Sequence, residues 1–280
     1  MLNPILQEKV EDWLASHLLH FPLKNPLYEA YVYALTNGGK RLRPLLVGLI
    51  AENLGKKSVA GAAIAIECFH TASLIVDDLP CMYNATERRG KLPLHKIFGE
   101  NTALLVSYAL IASGYSAIAS NGDHLSDFPD GALRLDWGVK AAAEYTGMKG
   151  IVGGQFLDLY PHLPMTLDFL REVAQKKSAS LFELAFVLGW LFGGGDVDKI
   201  PLVRQAGSHF GLAFQIKDDL ADQKKDAISS KTVNIAVVFG QQVALDWLEA
   251  EWAEFWKTLD RLSLEPRKFQ DLVAWLREEA

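Results

Sequence analysis

Two adjacent carboxylates and a cluster of basic residues occupy one short stretch, residues 70–100. An apolar run ends in Asp77 and Asp78. The basic residues that follow are Arg88, Arg89, Lys91 and Lys96. Carboxylates bind hard cations such as Mg²⁺, these cations bind phosphate oxygens, and guanidinium groups hold the remaining oxygens. The stretch therefore predicts a site for a metal-bound polyphosphate, and a helix end with a solvated charged loop is the alternative.

A second carboxylate cluster repeats this pattern in residues 214–226. An apolar approach precedes Asp218, Asp219 and Asp222, and Lys225 follows closely. On a helix, residues 218 and 222 share a face, as do 219 and 222, so at least two carboxylates can face one metal ion. Two such clusters favour a functional site over two unrelated charged loops. We expect this second cluster at the end of a helix.

A glycine-rich basic segment, NGGKRLRP at 37–44, precedes both clusters. Lys40, Arg41 and Arg43 directly follow two glycines and lead into an apolar helix. Glycine lets the backbone approach an anion closely, and a helix N-terminus favours negative charge. By itself the segment also fits a glycine helix stop followed by surface charge. Beside two carboxylate clusters in an acidic chain, it predicts diphosphate binding.

Further polar residues lie within apolar helical patterns. His70 precedes Asp77 by seven residues and shares its helix face, which favours substrate contact over a satisfied core histidine. Lys177 and Ser178 lie near the middle of another predicted helix. The adjacent lysines at 176 and 177 are either a surface pair or include a ligand-facing charge, and the residues alone favour the surface.

The elements that must position these residues are helices. Helix-period apolar patterns run through the whole chain, and no convincing alternating run is bounded by hairpin turns. We predict an all-α protein with one domain over residues 1–280, because no repeat or low-complexity linker divides the chain. The uncharged stretch 101–122 is long enough to span a bilayer, but its serines and glycines predict a buried central helix instead.

Composition narrows the classes of function. Half of the 280 residues are hydrophobic, which is enough for a large core. A net charge of −6 argues against nucleic acid as a partner, since phosphate-backbone binding needs a broad basic face. Cys68 and Cys81 have no metal-binding spacing, and the N-terminus lacks a basic-then-apolar signal pattern. We therefore expect a reduced, cytoplasmic protein without an integral membrane span.

Together these motifs resemble the trans-isoprenyl diphosphate synthase family, the polyprenyl synthetases. NGGKRLRP, DDLPCM, RRGK, HKIFGE, GGQFLDL and FQIKDDLAD occur in the family's order and spacing. The resemblance implies a single-domain isoprenoid-synthase-type helical bundle around a deep central cavity, with Mg²⁺ held between the two Asp-rich motifs. It also implies a homodimer, with isopentenyl diphosphate and an allylic diphosphate as substrates.

The resemblance assigns roles residue by residue. The positions that match the family's substrate contacts are Lys40, Arg43, His70, Arg88, Arg89, Lys177, Ser178, Gln215, Lys225 and Lys231. The positions that match its metal ligands are Asp77, Asp78, Asp218, Asp219 and Asp222. The positions with an implied direct part in catalysis are Asp77, Asp78, Asp218 and Lys177. Ser178 stands where the family has threonine, and the segment between Asp222 and Lys225 is shorter than the family's usual loop.

The implied reaction is ionisation followed by addition. The allylic diphosphate leaves, the resulting cation alkylates the double bond of isopentenyl diphosphate, and the departing diphosphate can take the proton. Mg²⁺ and the basic residues would stabilise the charge that develops on the leaving group. Positioning in a water-poor cavity then matters more than a protein nucleophile.

The first motif departs from the family at its third carboxylate, which here is Tyr83. Ala85 and Thr86 also occupy positions that are often acidic in relatives. A neutral phenol is a poor Mg²⁺ ligand, so metal binding on this side should be weaker. Losing one comparable electrostatic element costs roughly 10²–10³ in rate, which indicates a slow enzyme more than an inactive one. Asn84 and Glu87 are the neighbours that would compensate.

Two hypotheses of different class follow from this departure. The first is an active or slow prenyltransferase, favoured by the intact DDLAD motif and the complete basic set. The second is a catalytically impaired homologue that binds prenyl diphosphates or acts as a subunit of a heteromeric synthase. A terpene cyclase would use the same ionisation chemistry, but it would leave Lys40, Arg43 and Arg89 without a role.

Product length depends on residues one helical turn before Asp77. Ala72 and Ser73 lie there, where bulky aromatic residues shorten the product in the family. Small side chains leave this pocket open, and Phe69 is the candidate floor one turn deeper. We therefore predict a product in the range of about C15 to C20, with about C20 favoured. The alternative is that Ala72 and Ser73 only pack against a neighbouring helix.

Overall fold

A computed structural model describes residues 4–19, 21, 24–55, 59–161, 164–228 and 233–278 of the chain. Within these ranges the protein is helical, with no β-strand. The helices are α1 (Pro4–Leu19), α2 (Pro26–Thr36), α3 (Leu42–Asn53), α4 (Ala60–Asp77), α5 (Leu94–Phe98), α6 (Glu100–Ala119), α7 (Gly122–Leu125), α8 (Gly131–Thr146), α9 (Ile151–Leu159), α10 (Leu167–Ala174), α11 (Ser180–Gly193), α12 (Ile200–Ile228), α13 (Ile235–Val238), α14 (Gln241–Leu262) and α15 (Pro266–Glu278). A π-helical turn, Gln175–Ala179, joins α10 to α11. The all-α prediction is confirmed.

Helix α11 forms the centre of the bundle. Every residue in it is buried, and it packs against α3, α4, α8 and α12. A helix that is apolar on all sides is stable only inside a core. The largest hydrophobic cluster surrounds α11 and reaches from Leu6 in α1 to Leu276 in α15. The single-domain organisation over residues 1–280 stays a prediction, and this continuity supports it.

Helix α6 differs from the expected buried central helix. It packs closely against α4, but Leu105 and Tyr108 on its other side are 54% and 65% exposed. By length and composition, α4 and α6 are the two helices in the described part of the chain that could cross a membrane. Most of α4 is buried inside the bundle. The apolar stretch of α6 thus packs on one side only and presents an apolar surface on the other.

Helices α4 and α12 carry the two carboxylate clusters. Helix α4 ends at Asp77, with Asp78 as its C-cap residue, shortly before Pro80, whose ring and missing N–H disfavour helix continuation. Helix α12 was expected to end near its cluster, but it continues to Ile228. Residues 212–228 contain no glycine or proline to stop it. Asp218, Asp219 and Asp222 therefore lie within a regular helix and not at its end.

Candidate active site

Three adjoining cavities meet between α4, α9, α12 and the π-helical turn. The basic cavity has a volume of about 440 Å³. Its charged and titratable lining residues are Lys40, Arg41, Arg43, Glu67, His70, Asp77, Arg88, Arg89, Lys177 and Asp218. The acidic cavity, of about 210 Å³, shares Lys177 and Asp218 with it. The carboxylates of the acidic cavity are Asp158, Asp218, Asp219, Asp222 and Asp226.

The third, apolar cavity has a volume of about 430 Å³. Its lining includes the three residues of the predicted chain-length pocket, which are Phe69, Ala72 and Ser73. Ser73 and Asp77 line both the apolar cavity and the basic cavity. A charged space therefore opens onto an apolar space beside Asp77, an arrangement that fits a ligand with an anionic head and a hydrocarbon tail.

The two carboxylates of the first cluster have different surroundings. Asp78 is buried and held by Arg88, whose Nη2 and Nε lie 2.5 Å and 3.1 Å from its Oδ1. Asp77 lines the basic and apolar cavities. Burial raises the pKa of Asp77 to about 6, although the nearby Lys177 ammonium opposes this shift. Asp77 is thus the member of the pair that faces the cavities, and Asp78 fixes Arg88 beside it.

In the second cluster, Asp218 lies where the acidic and basic cavities meet. Burial raises the pKa of Asp218 to about 6 against the opposing effect of Lys40. Asp219 instead accepts a hydrogen bond from Gln215 Nε2 within α12 at 2.7 Å, and one from the Ile235 N–H at 3.1 Å that ties α12 to α13. Asp222 is exposed and lines the acidic cavity.

The basic residues are held by close contacts within the protein. The Arg43 guanidinium lies 4.1 Å from the ring centre of Phe182, and its Nη1 lies 3.3 Å from His70 Nε2. Burial, and then the charges of Arg43 and Arg89, lower the pKa of His70 well below its ordinary value. His70 is therefore neutral and can accept from Arg43. Arg89 donates to the Gly38 carbonyl at 2.5 Å. Gly39 leaves room for the Arg89 guanidinium, because a β-carbon at residue 39 would lie only 2.4 Å from the guanidinium carbon.

Arg41 has a structural role that its neighbours in the sequence do not share. Its left-handed backbone (φ 50°) turns the side chain inward. There it donates to Glu67 Oε1 and to the Leu35 carbonyl, both at 2.5 Å. The Arg41 and Glu67 side chains are only 4% and 1% exposed. Asn84 (φ 47°) and Arg89 (φ 55°) also adopt left-handed conformations in loops beside the site.

Tyr83, at the position of the missing carboxylate, joins a polar cluster with Lys177 and Asp158. The Tyr83 hydroxyl donates a hydrogen bond to Asp158 Oδ2. Lys177 Nζ donates to the same carboxylate at 2.5 Å and to the Tyr83 hydroxyl at 2.8 Å. Asn84 and Glu87, expected to compensate for Tyr83, are exposed and line none of the three cavities.

Some predicted residues are not brought into the cavities. Lys225 lies on an exposed part of α12 and lines none of the three. Lys231 lies outside the described residues. Conversely, Asp158, whose motif indicated that it could face the cavity, lines the acidic cavity, and Glu67, for which no role was predicted, lines the basic cavity. The sequence signal for Asp158 was its place in GGQFLDL, whereas Glu67 carried no signal.

A buried polar network supports the π-helical turn that presents Lys177 and Ser178. Gln175 donates to Glu183 and accepts from Ser208 Oγ at 2.8 Å. The Tyr145 hydroxyl donates to Glu183 Oε2 at 2.7 Å. On the opposite side, Ser178 Oγ donates to Gln215. The turn is thus fixed from α11, α8 and α12, which sets the direction of its two polar side chains.

Glu183→Gln is expected to change how stability depends on pH. Burial raises the pKa of Glu183 from 4.5 to about 7, so the folded state binds this proton more tightly than the unfolded state. The free energy of unfolding of the wild type therefore falls as pH rises from 4.5 to about 7. Glutamine removes this loss, and the variant should be more stable by about 1–3 kcal/mol above that range, with no gain below it. Urea unfolding across pH measures the difference.

The exposed residue Glu172, which pairs with Lys176 at 2.6 Å, supplies the control variant Glu172→Gln. Its stability curve should run parallel to that of the wild type. A parallel curve for Glu183→Gln as well would contradict the assignment of a raised pKa to Glu183.

Fold and site together define a class of helical-bundle proteins in which a basic cavity opens onto an apolar one. The family described as polyprenyl synthetase matches residues 24–233. Heterodimeric geranylgeranyl pyrophosphate synthase large subunit 2 of Arabidopsis thaliana is 35% identical over 80% of this chain and 60% of its own length. Farnesyl diphosphate synthase of Bacillus subtilis is 35% identical over 77% of this chain and 73% of its own. The chain spans about three fifths of the length of the Arabidopsis relatives.

Among solved structures, a geranyltransferase from Legionella pneumophila superposes with a TM-score of 0.87 at 28% identity. The match covers 99% of this chain and 96% of that one. The chain belongs to the polyprenyl synthetase family. The resemblance inferred from the motifs and the isoprenoid-synthase-type fold are both confirmed.

Proposed function

We propose that the protein is a trans-prenyltransferase that condenses isopentenyl diphosphate with dimethylallyl, geranyl or farnesyl diphosphate. The observation that carries this proposal is the junction at Asp77, where the basic cavity opens onto the apolar cavity. Several cations converge on the charged side, and a hydrocarbon chain fits the other. The names of the relatives, farnesyl diphosphate synthase and geranylgeranyl pyrophosphate synthase, agree with this pairing.

The chain's own residues divide the two diphosphates between them. Lys40, Arg43 and Arg89 bind isopentenyl diphosphate, with neutral His70 beside Arg43. Arg88 and Lys177 bind the allylic diphosphate. As the allylic carbon–oxygen bond breaks, its electron pair stays on the diphosphate, where these fixed cations stabilise it. The electron pair of the isopentenyl double bond then forms the new carbon–carbon bond, and the cation that results loses a proton from the adjacent carbon to the released diphosphate, which restores a double bond.

The carboxylates on the cavity walls fit Mg²⁺ as a cofactor. They supply hard oxygen ligands, and Mg²⁺ is commonly bound through one or two carboxylates together with substrate phosphates. No group of three or more His, Cys, Asp or Glu side chains in the described part of the chain is arranged to hold a metal alone. Asp77, Asp218 and Asp222 would therefore hold Mg²⁺ jointly with the diphosphate. When bound, Mg²⁺ neutralises charge on the leaving group.

The test is a Mg²⁺-dependent assay of the purified protein with labelled isopentenyl diphosphate and each allylic diphosphate. Formation of a longer prenyl diphosphate by the protein alone is the expected result. Absence of product with all three allylic substrates, from folded protein, would reject the proposal.

The second candidate is a subunit of a heteromeric synthase, favoured by Tyr83 in place of a carboxylate and by a relative named as a heterodimeric large subunit. Product that appears only after a related synthase is added would support this candidate.

Ala72→Phe is expected to shorten the product. Ala72 is buried and lines the apolar cavity, so a phenyl ring there would fill space that otherwise holds the growing tail. Mass analysis of the products should show a shift from about C20 toward C15 or shorter, by loss of one or more five-carbon additions. Ala143→Phe, at an exposed position in α8, should leave the distribution unchanged. An unchanged distribution for Ala72→Phe would mean that this cavity does not hold the tail.

We also infer a homodimer located in the cytoplasm. Large apolar side chains are exposed in the single chain on α6, at Leu105 and Tyr108, and on α9, at Val152 and Phe156, and exposed apolar residues of this kind commonly mark interfaces. Both cysteines are free thiols, which suits a reducing compartment. Sedimentation velocity of the purified protein tests the dimer.

A further inference from the structure

Tyr83 is held at a defined place by the loop that follows α4. Its N–H donates to the Asp77 carbonyl at 3.1 Å, and the next N–H, of Asn84, donates to the Leu79 carbonyl at 3.0 Å. These bonds fold the loop back over the end of α4. The Tyr83 side chain thereby reaches α9 and the π-helical turn, which are distant in sequence.

The same side chain determines the surroundings of Lys177. Lys177 Nζ lies 2.8 Å from the Tyr83 hydroxyl and 2.5 Å from Asp158 Oδ2. It also lies 4.7 Å from the centre of the Tyr83 ring. The Asp158 side chain is only 5% exposed and that of Lys177 is 22% exposed. A long, flexible lysine is thus restrained by one phenol and one buried carboxylate where the basic and acidic cavities meet.

We propose that Tyr83 is a positioning residue that, with Asp158, holds the Lys177 ammonium in place of a metal ion that a third carboxylate would recruit. This inference rests on the proposed function, because it assumes a diphosphate in the basic cavity. It explains how the site retains positive charge on the side where its metal ligand is missing.

A phenol is chemically suited to hold Lys177 in place where a carboxylate would instead bind a metal ion. A neutral hydroxyl both accepts from the ammonium and donates to Asp158, so it links the two charged groups without adding a negative charge. A carboxylate at the same position would place additional negative charge beside Asp77 and Asp158, and so would favour a divalent cation there. Tyrosine therefore lowers the demand for metal while it keeps the lysine in place.

The first test measures binding of inorganic diphosphate by calorimetry at fixed Mg²⁺. Tyr83→Phe keeps the ring but removes the hydroxyl that contacts Lys177, and we expect about tenfold weaker binding, as for loss of a hydrogen bond to a charged group. Tyr28→Phe is the matched control, because the Tyr28 hydroxyl donates to the Leu18 carbonyl at 3.2 Å and Tyr28 lines none of the three cavities. It should bind diphosphate like the wild type. Equal binding by Tyr83→Phe and the wild type would overturn the proposal.

The second test measures the Mg²⁺ concentration that gives half-maximal diphosphate binding. Tyr83→Asp should lower this concentration about tenfold or more, since it restores a carboxylate to the metal side. A merely structural role of Tyr83 would not move this midpoint in that direction. An unchanged or higher midpoint in a variant that melts at the wild-type temperature would overturn the proposal.

Both readouts are binding measurements, so they separate this inference from the proposed function. If the wild type forms no product but the two Tyr83 variants show the expected changes in binding, the prenyltransferase proposal is rejected and the positioning role of Tyr83 is retained. If the wild type forms product but neither variant changes in binding, the prenyltransferase proposal is retained and the positioning role of Tyr83 is rejected.

Discussion

Asparagine in place of Asp218 is expected to lower kcat/KM for the condensation by about 10²–10³, the usual cost of removing one preorganised electrostatic group from an active site. Asp218 is the carboxylate shared by the acidic and basic cavities. Asparagine keeps its shape but removes the negative charge that would help to hold Mg²⁺ beside the diphosphate. Initial rates over a range of both substrates measure the effect.

The same variant should be no less stable than the wild type at neutral pH. Burial raises the pKa of Asp218 to about 6, so the ionised side chain that predominates above this pH is disfavoured by the fold. Asp136→Asn, at an exposed surface pair with Lys140, is the control and should retain wild-type activity. Equal activity of both variants would remove Asp218 from the catalytic set, and a large loss of stability in Asp218→Asn would contradict the expectation that the fold disfavours the ionised side chain.

Arg41→Met should cost about 3–5 kcal/mol of the free energy of unfolding, because it leaves a buried carboxylate without its partner. Glu67 is 1% exposed and lies 2.5 Å from Arg41. The substitution also removes the donor to the Leu35 carbonyl. Urea unfolding followed by circular dichroism measures the change.

The double variant Arg41→Met/Glu67→Met is the matched test of this cause. Removing both charges together should recover much of the lost stability, since a buried ion pair is worth little more than two well-packed apolar side chains. If the double variant is as unstable as Arg41→Met, packing and not the unpaired carboxylate determines the loss.

Much of the fold followed from local pattern. Apolar residues at helical spacing predicted an all-α chain, and α4 ends shortly before Pro80, where a proline ring disfavours further helix. The end of α12 was missed because a run of charged residues resembled a loop, whereas those residues are compatible with a helix that has one exposed side. For α6, composition gave its apolar character but not which side would be covered, because that depends on its packing partners.

The site was predictable where spacing along one helix sufficed. Asp218 and Asp222 share a face of α12 and line the same cavity, as their spacing predicted. The sequence could not show that Arg41 has a structural role while Arg43 lines the site. The left-handed backbone at Arg41 and its contact with Glu67 both depend on tertiary structure. The contact between Tyr83 and Asp158 joins residues far apart in sequence, so no local pattern could reveal it.

The left-handed conformations of Arg41, Asn84 and Arg89 have a consequence for affinity. In non-glycine residues this conformation costs roughly 1 kcal/mol each, so a flexible chain would seldom adopt all three at once. Folding has already restricted these loops before a substrate arrives. Less conformational entropy is then lost on binding, and more of the intrinsic attraction between the cations and the diphosphate is retained as affinity.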